Sequence, residues 1–537
     1  MSLTVRYIDT PVGASEAATV SSGAGQSFSD YPSVIDGAAD IPWATLESNS
    51  WVLDGSRKLL SEEPDNMGWW SRQTSGSDGR FDTPPSIELA FDAPYSATAL
   101  SFAFWPSTGQ WCSEMHVSWY NGDTLRDEVT VFPDGPQWLL EHVVESFDKV
   151  TVEIMETNTA NQFAKIQQIQ IGRVVTFGRD ELVSVRLLNE VDPSLCELSV
   201  DTLRIEIHNQ AGLLVPQENQ KMELYRDDKL MATQYIQESS REAKNYYTFS
   251  CQSAVGLLDS EFLGGIYIDV PVKALLDDVM DGHKYILDDT FISETVNGYL
   301  PICTRREALQ QIAFALGAMV TTQESDAIRL IPVPSELDGS FSEDQIFSGA
   351  KVRNAPRLAQ VVLVSHGYTP GPTEEVLINA EQISGENVLI TFNDPYCFYN
   401  INGGKLTDSD ANWVTITADG EVSLTARPYL HTATRYVRRN PEATAAERGN
   451  ILTVDEATLI HSGNVHAALN RLYTAKMMRQ TLTHEAVISG HQAGQVVSSV
   501  NPWGTYTRGY IKSMESTLTQ SGHTAQVEII GIEVTEV

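Results

Sequence analysis

Basic residues are scarce in this chain. Lysine and arginine together number 36 against 71 aspartates and glutamates, a formal net charge of −35 over 537 residues. A surface that negative repels phosphate backbones, and no basic stripe is long enough to escape that average, so specific nucleic-acid binding is not expected. Simple solubility accounts for the charge, and a negative lining past which DNA slides without sticking is compatible with it. Cysteine is rare as well. Cys112, Cys196, Cys251, Cys303 and Cys397 are odd in number and far apart, which is neither a disulfide framework nor a CxxC metal pattern. Cys251 continues the alternation of Tyr247 and Phe249 and reads as buried strand filler, so folding in a reducing compartment is expected. No apolar run reaches the length of a membrane-spanning helix. The opening MSLTVRYIDTPVG has neither the basic cluster nor the apolar stretch of a Sec-type signal.

Catalytic constellations are missing too. The sequence has no G-x-S-x-G elbow, no G-x-x-x-x-G-K-[ST] loop and no G-x-G-x-x-G after a strand. His484-Glu485 begins like a zincin motif, but the next histidine is His491, and the segment LTHEAVI reads as strand, which builds no metal face. Asp408, Asp410 and Asn412 resemble the start of an EF-hand loop. Trp413 stands where that loop needs glycine, and no Glu occupies the twelfth position, so a polar turn is the reading. Acidic residues are so numerous that no carboxylate pair suited to glycoside hydrolysis can be singled out. No enzyme, metal or cofactor is expected.

What is present is the composition of folded protein, 42% hydrophobic and 20% charged, at a length that suits three or four domains. The stretch that organises the chain is GYLPICTRREALQQIAFALGAMVTTQESDAIRLIP. Thr304 and Glu307 have capping-box spacing, Ala308, Leu309, Ile312, Ala313 and Leu316 form one helical stripe, and Gly317 closes the helix. Strands over 318–322 and 327–331 follow, making a helix laid on a hairpin whose role is architectural.

The remaining segments place themselves around that unit. Residues 1–34, rich in Ser, Gly and Ala, read as an extended arm. Residues 35–172 read as a β-sandwich, with Ile87, Leu89 and Phe91 alternating and a hairpin signalled by Asn121-Gly122. Residues 173–265 give a further antiparallel strand series with a turn at Asp227-Asp228. Residues 266–340 hold a helix after Pro271, with Val272, Leu275, Leu276, Val279 and Met280 on one face, and then the organising unit. Residues 341–537 return to strand, with a hairpin expected at Asp419-Gly420 and a helical insertion over 464–478.

Seven of the ten tryptophans precede residue 120. Trp69, Trp70, Trp105 and Trp111 fall in or beside loop-like segments. Packing is their default role, and stacking on sugar rings is the sharper alternative.

From Arg173 onward the chain resembles the baseplate hub, or tail-tip, proteins of tailed bacteriophages and related prophage particles. The stretches that carry the resemblance are VTFGRDELVSVRLLNEVDPSLCELSVDTLRIEIHN, TVNGYLPICTRREALQQIAFALGAMVTTQESDAIRLIPV and GYIKSMESTLTQSGHTAQVEIIG, in that order. The resemblance implies a mainly β, multidomain fold. It comprises two β-barrel hub domains and the α/β helix-hairpin unit between them, and the first 172 residues look like a galactose-binding-like jelly roll set ahead of the hub. It also implies a homotrimer at the distal end of a virion tail, assembled in the bacterial host cytoplasm. Its partners would be the tail tube, distal tail and other baseplate proteins, docked spike or receptor-binding components, and the tape-measure protein. A host-glycan adhesin acting through the N-terminal sandwich is the alternative. A glycosidase carrying a sugar-binding module is the least favoured reading.

Overall fold

Strands make up most of the computed structural model, which describes residues 2–23, 26–29, 31–45, 47, 54–58, 67–209, 214 and 216–535. Among the described residues the α-helices are Ala14–Ala17, Val272–Met280, Arg305–Leu316 and Val465–Met477. None is long and apolar enough to cross a membrane. The chain divides into two units, one of residues 6–176 with 214–222, the other of residues 1–5, 177–213 and 223–537. The fold is mainly β in both.

The N-terminal unit is built on a six-stranded sheet. Its order is Thr19–Ser22, Ser86–Ala103, Gln137–Thr157, Cys112–Asn121 and Thr124–Val131, with Gln168–Ile171 also pairing with Ser86–Ala103. A second layer is the antiparallel pair Trp69–Thr74 and Phe163–Ile166. Between them lies a core that includes Ile87, Leu89, Phe102, Trp119, Val152 and Ile154, the inward halves of alternating strands. The Asn121-Gly122 hairpin forms with its turn moved on by one residue. Asn121 pairs with Thr124, and Gly122 takes the left-handed φ of 56°.

Two readings of the sequence are corrected. The described residues among 1–34 do not form the expected extended arm. Leu3–Asp9 is a strand with Leu3, Val5, Tyr7 and Asp9 buried, and Thr19–Ser22 pairs with Ser86–Ala103. The period-2 pattern of Leu3, Val5 and Tyr7 was the signal, hidden by its Ser- and Gly-rich surroundings. Nor is Asp419-Gly420 a hairpin turn. The single strand Trp413–Arg439 runs straight through it, with Ser384 opposite Asp419 and Ile383 opposite Gly420. A two-residue turn would put Ala418 on the same face as Glu421. The buried residues are Val414, Ile416, Ala418, Val422 and Leu424, all of one parity, which only an uninterrupted strand keeps together.

The second unit carries the organising element much as its pattern predicts. Thr304 caps helix Arg305–Leu316, the capping box with Glu307 closes in both directions, and Gly317 ends the helix at φ 79°. Ala318–Thr321 and Ile328–Pro332 form the hairpin, and Tyr285–Leu287 adds a parallel third strand. Helix Val272–Met280 buries the five residues of its apolar stripe against this unit, in a core with Leu309, Ile312 and Leu330.

Around it runs one long antiparallel path. Lys221–Arg226, Lys229–Ala243, Tyr246–Gln252, Thr202–His208 and Leu182–Glu190 neighbour one another in that order. The path continues through Tyr506–Leu518, His523–Val534, Gln480–Val487 and Lys351–Asn354. The turn at Asp227-Asp228 is as expected, with both residues at positive φ. The junction between the two halves is the ladder from Val185 opposite Leu518 to Glu190 opposite Ser513.

Candidate functional site

Trp69, Trp70 and Trp105 are among the most enclosed side chains of the N-terminal unit, and Trp111 is half-buried. Trp69 lies in the main core and donates its ring N–H to Ser22 Oγ at 3.1 Å. Trp70 and Trp105 meet edge to face with centroids 5.3 Å apart, in a small cluster with Met67 and Ala38. Trp105 Nε1 donates to the carbonyl of Ile41 at 2.8 Å. Trp111 packs against the core and donates to Pro133 O at 3.1 Å. Each of these bonds satisfies an indole N–H that burial would otherwise leave costly.

The same cluster encloses an ion pair that no sequence pattern signals. Lys165 Nζ lies 4.4 Å from the centre of the Trp70 ring and donates to Glu47 Oε2 and to Gln110 Oε1 at 2.6 and 2.7 Å. Glu47 also accepts the backbone N–H of Phe163 at 2.9 Å. Burial pushes the Lys165 ammonium below its usual range, and the attraction of Glu47 opposes that shift. With ammonium and carboxylate both enclosed, the group is a staple between segments of the unit and offers no open face to a substrate.

Groups singled out for chemistry in the second unit are likewise held in structural contacts. Phe341 packs against both His484 and His491, at 5.2 and 4.1 Å between centroids. His484 instead bonds Ser499 Oγ at 3.0 Å, and burial pushes its pKa down to about 4. Asn412 is fully buried, accepting from the Tyr299 hydroxyl at 2.8 Å and donating to the carbonyls of Leu300 and Leu263. Asp410 accepts the N–H of Ile266 at 3.1 Å. Burial pushes the thiols of Cys112 and Cys251 up to about 12, which makes them poor nucleophiles. Among the described residues no three His, Cys, Asp or Glu side chains are grouped so as to hold a metal.

The helix Arg305–Leu316 and its hairpin collect contacts from several segments distant in sequence. Gln310 donates to the carbonyls of Leu195 and Cys196 at 2.9 and 3.1 Å, and Gln311 to that of Glu456 at 2.8 Å. Arg471, on helix Val465–Met477, donates to the carbonyls of Phe314 and Ala315 and so satisfies two acceptors of the last helical turn. Buried Gln323 clasps Ala493 in both directions, donating to its carbonyl at 3.1 Å and accepting its N–H at 3.0 Å. Asp201, also buried, accepts from Glu190 N–H at 3.0 Å and Thr322 Oγ1 at 3.1 Å. Burial raises its pKa to about 6, with those hydrogen bonds opposing the rise. The contacts gathered here are structural: one ladder joins two strand series of a single sheet, and the helix is tied to the segments around Leu195, Glu456 and Arg471.

No family model matches the chain, and no curated protein matches it. The solved structures to which it is similar include phage and prophage tail proteins. One is the tail protein from Neisseria meningitidis MC58, at 11% identity over 66% of this chain and 93% of the other, TM-score 0.40. Another is the 43 kDa tail protein of prophage MuSo2 from Shewanella oneidensis, at 11% identity over 67% and 96%, TM-score 0.41. A third is the family 32 carbohydrate-binding module of C. perfringens NanJ in complex with galactose, at 11% identity over 32% and 99%, TM-score 0.20.

Proposed function

We propose that this chain is a structural hub of a phage or phage-like tail, acting as a homotrimer at the distal end of the tail tube. The observation that supports this reading most is the ladder of Leu182–Glu190 on Tyr506–Leu518, which fuses two strand series of one chain edge to edge. A subunit with two such series supplies six to a ring of three copies, the step from a sixfold tube to a threefold tip. The sequence resemblance from Arg173 onward points the same way. The net charge of −35 suits a lumen past which DNA or a tape-measure protein moves without adhering. The role is structural, closing or organising the tube and docking other baseplate components in the virion.

In the N-terminal unit, burial of Trp69, Trp70 and Trp105 favours packing over sugar stacking. The adhesin reading then rests on Trp111, the least enclosed of the four.

Light scattering on the purified chain, alone and with isolated tail tube, tests the hub. A mass of about 178 kDa, three times 59.2 kDa, or a threefold complement per tube end is expected. A chain that stays monomeric alone and does not bind the tube would overturn the reading.

A further inference from the structure

Within the second unit a groove of about 280 Å³ lies between helix Val465–Met477 and the segments around Arg357 and Asn440. Its charged lining is Arg357, Lys476, Arg479 and Glu442, and its apolar lining includes Leu358, Tyr473, Met477 and Ile532. The carboxylates close by, Glu442 and Glu447, both approach Arg357, at 3.8 and 3.9 Å. Neither comes within ion-pair distance of Lys476 or Arg479, and Arg479 has only a long bond of 3.4 Å, to the carbonyl of Ala355. A fourth cation, Arg438, is stacked on Tyr473, 4.2 Å from the ring centre. Ile532 is half exposed beside them. Lys476, with no carboxylate at ion-pair distance, and Arg479, which helps hold the Glu447 carboxyl down only from beyond that distance, set a net positive charge in an apolar groove, against the balance of a chain whose acidic residues outnumber basic ones two to one.

We infer that this groove is a docking site for an acidic, apolar peptide segment of a partner protein. Carboxylates of the segment would pair with Lys476 and Arg479, and its apolar side chains would lie on Tyr473, Met477 and Ile532. Charge complementarity selects an acidic occupant. The apolar lining, which offers Leu358, Met477 and Ile532 to aliphatic side chains, selects peptide over nucleic acid. The inference goes beyond the hub reading and stands without it, because it needs no trimer.

The test uses the full chain and a short fluorescein-labelled peptide alternating glutamate and leucine, followed by fluorescence anisotropy. The glutamine–leucine counterpart and a labelled 20-nucleotide single-stranded DNA serve as competing probes. Saturable binding of the glutamate peptide is expected, with affinity falling about tenfold or more in Lys476→Gln/Arg479→Gln. A separate variant, Ile532→Ser, keeps both cations and the groove's charge and is expected to weaken binding through the apolar lining. Equal binding of both peptides, unchanged binding by both variants, or tighter binding of the DNA at the same cations would each overturn the proposal. An unchanged melting temperature shows that a variant is folded. If the Gln pair unfolds the chain, the Ile532→Ser result decides.

Discussion

Lys165 Nζ sits 2.6 Å from Glu47 Oε2, both groups out of solvent and roofed by the Trp70 ring. Desolvating two charges is costly, and the pair holds only because each satisfies the other and Gln110 takes a further ammonium proton. Lys165→Met removes one partner and strands a buried carboxylate. That variant is expected to lose about 3–5 kcal/mol of stability, whereas Lys165→Met combined with Glu47→Leu recovers most of the loss. Urea unfolding followed by tryptophan fluorescence reads both, and a single variant no less stable than the double would refute the account.

Gln323 offers a second, uncharged test. Its side chain is the partner of both the N–H and the carbonyl of Ala493, away from water. Gln323→Ala leaves two buried backbone groups unpaired, and a cost of about 2–4 kcal/mol is expected. Thr304→Ala, which removes an exposed cap, should cost only about 1 kcal/mol. Chemical denaturation of the two variants side by side gives the ordering, and equal losses would contradict it.

Asp201 makes stability depend on pH in one direction. Its carboxyl is raised from 3.8 to about 6 in the fold, so the folded state holds the proton more tightly than the unfolded chain. The favourable contribution is complete below about pH 4 and is lost as pH rises through about 6. Asp201→Asn should therefore melt higher than the parent at pH 7.5 and match it near pH 4. A parent–variant difference that stays constant with pH would exclude this role for Asp201.

His484 and His523 act in the opposite sense. Burial lowers both from 6.5 to about 4, which favours the neutral rings bonded to Ser499 and Ser516. Their contribution is complete above about pH 6.5 and is lost as pH falls through about 4. Replacing both with glutamine should flatten the acid side of a melting-temperature profile. Retention of the full acid limb in that double variant would show that other groups produce it.

Local patterns in the sequence carried the helices further than the strands. The Thr304–Glu307 box and the stripe after it give helix Arg305–Leu316 within its own residues, because capping and period 3.6 are short-range effects. Val272 to Met280 was equally legible. At Asp419-Gly420 the dipeptide suggested a turn, while the unbroken parity of Val414 through Leu424 already argued for one strand. Packing was the default for the tryptophans, but which rings are fully enclosed was not legible. Loop-like flanks look alike whether the ring faces water or another layer. The contacts that matter most join residues far apart in sequence: Lys165 meets Glu47 across 118 positions and Gln323 meets Ala493 across 170. Such pairs leave no periodic trace.

The ladder between Leu182–Glu190 and Tyr506–Leu518 also sets an order of events during synthesis. Thr202–His208 can cover one side of Leu182–Glu190 almost as soon as it leaves the ribosome, but the strand for the other side is made roughly 300 residues later. At roughly 5–20 residues per second that is a wait of about 15–60 s with an unpaired backbone edge facing solvent. The first strand series must therefore survive as a half-finished sheet in the presence of other nascent chains. Its exposed charges, such as Arg186 and Glu190 on the waiting strand, are what stands between that edge and premature pairing with a neighbour.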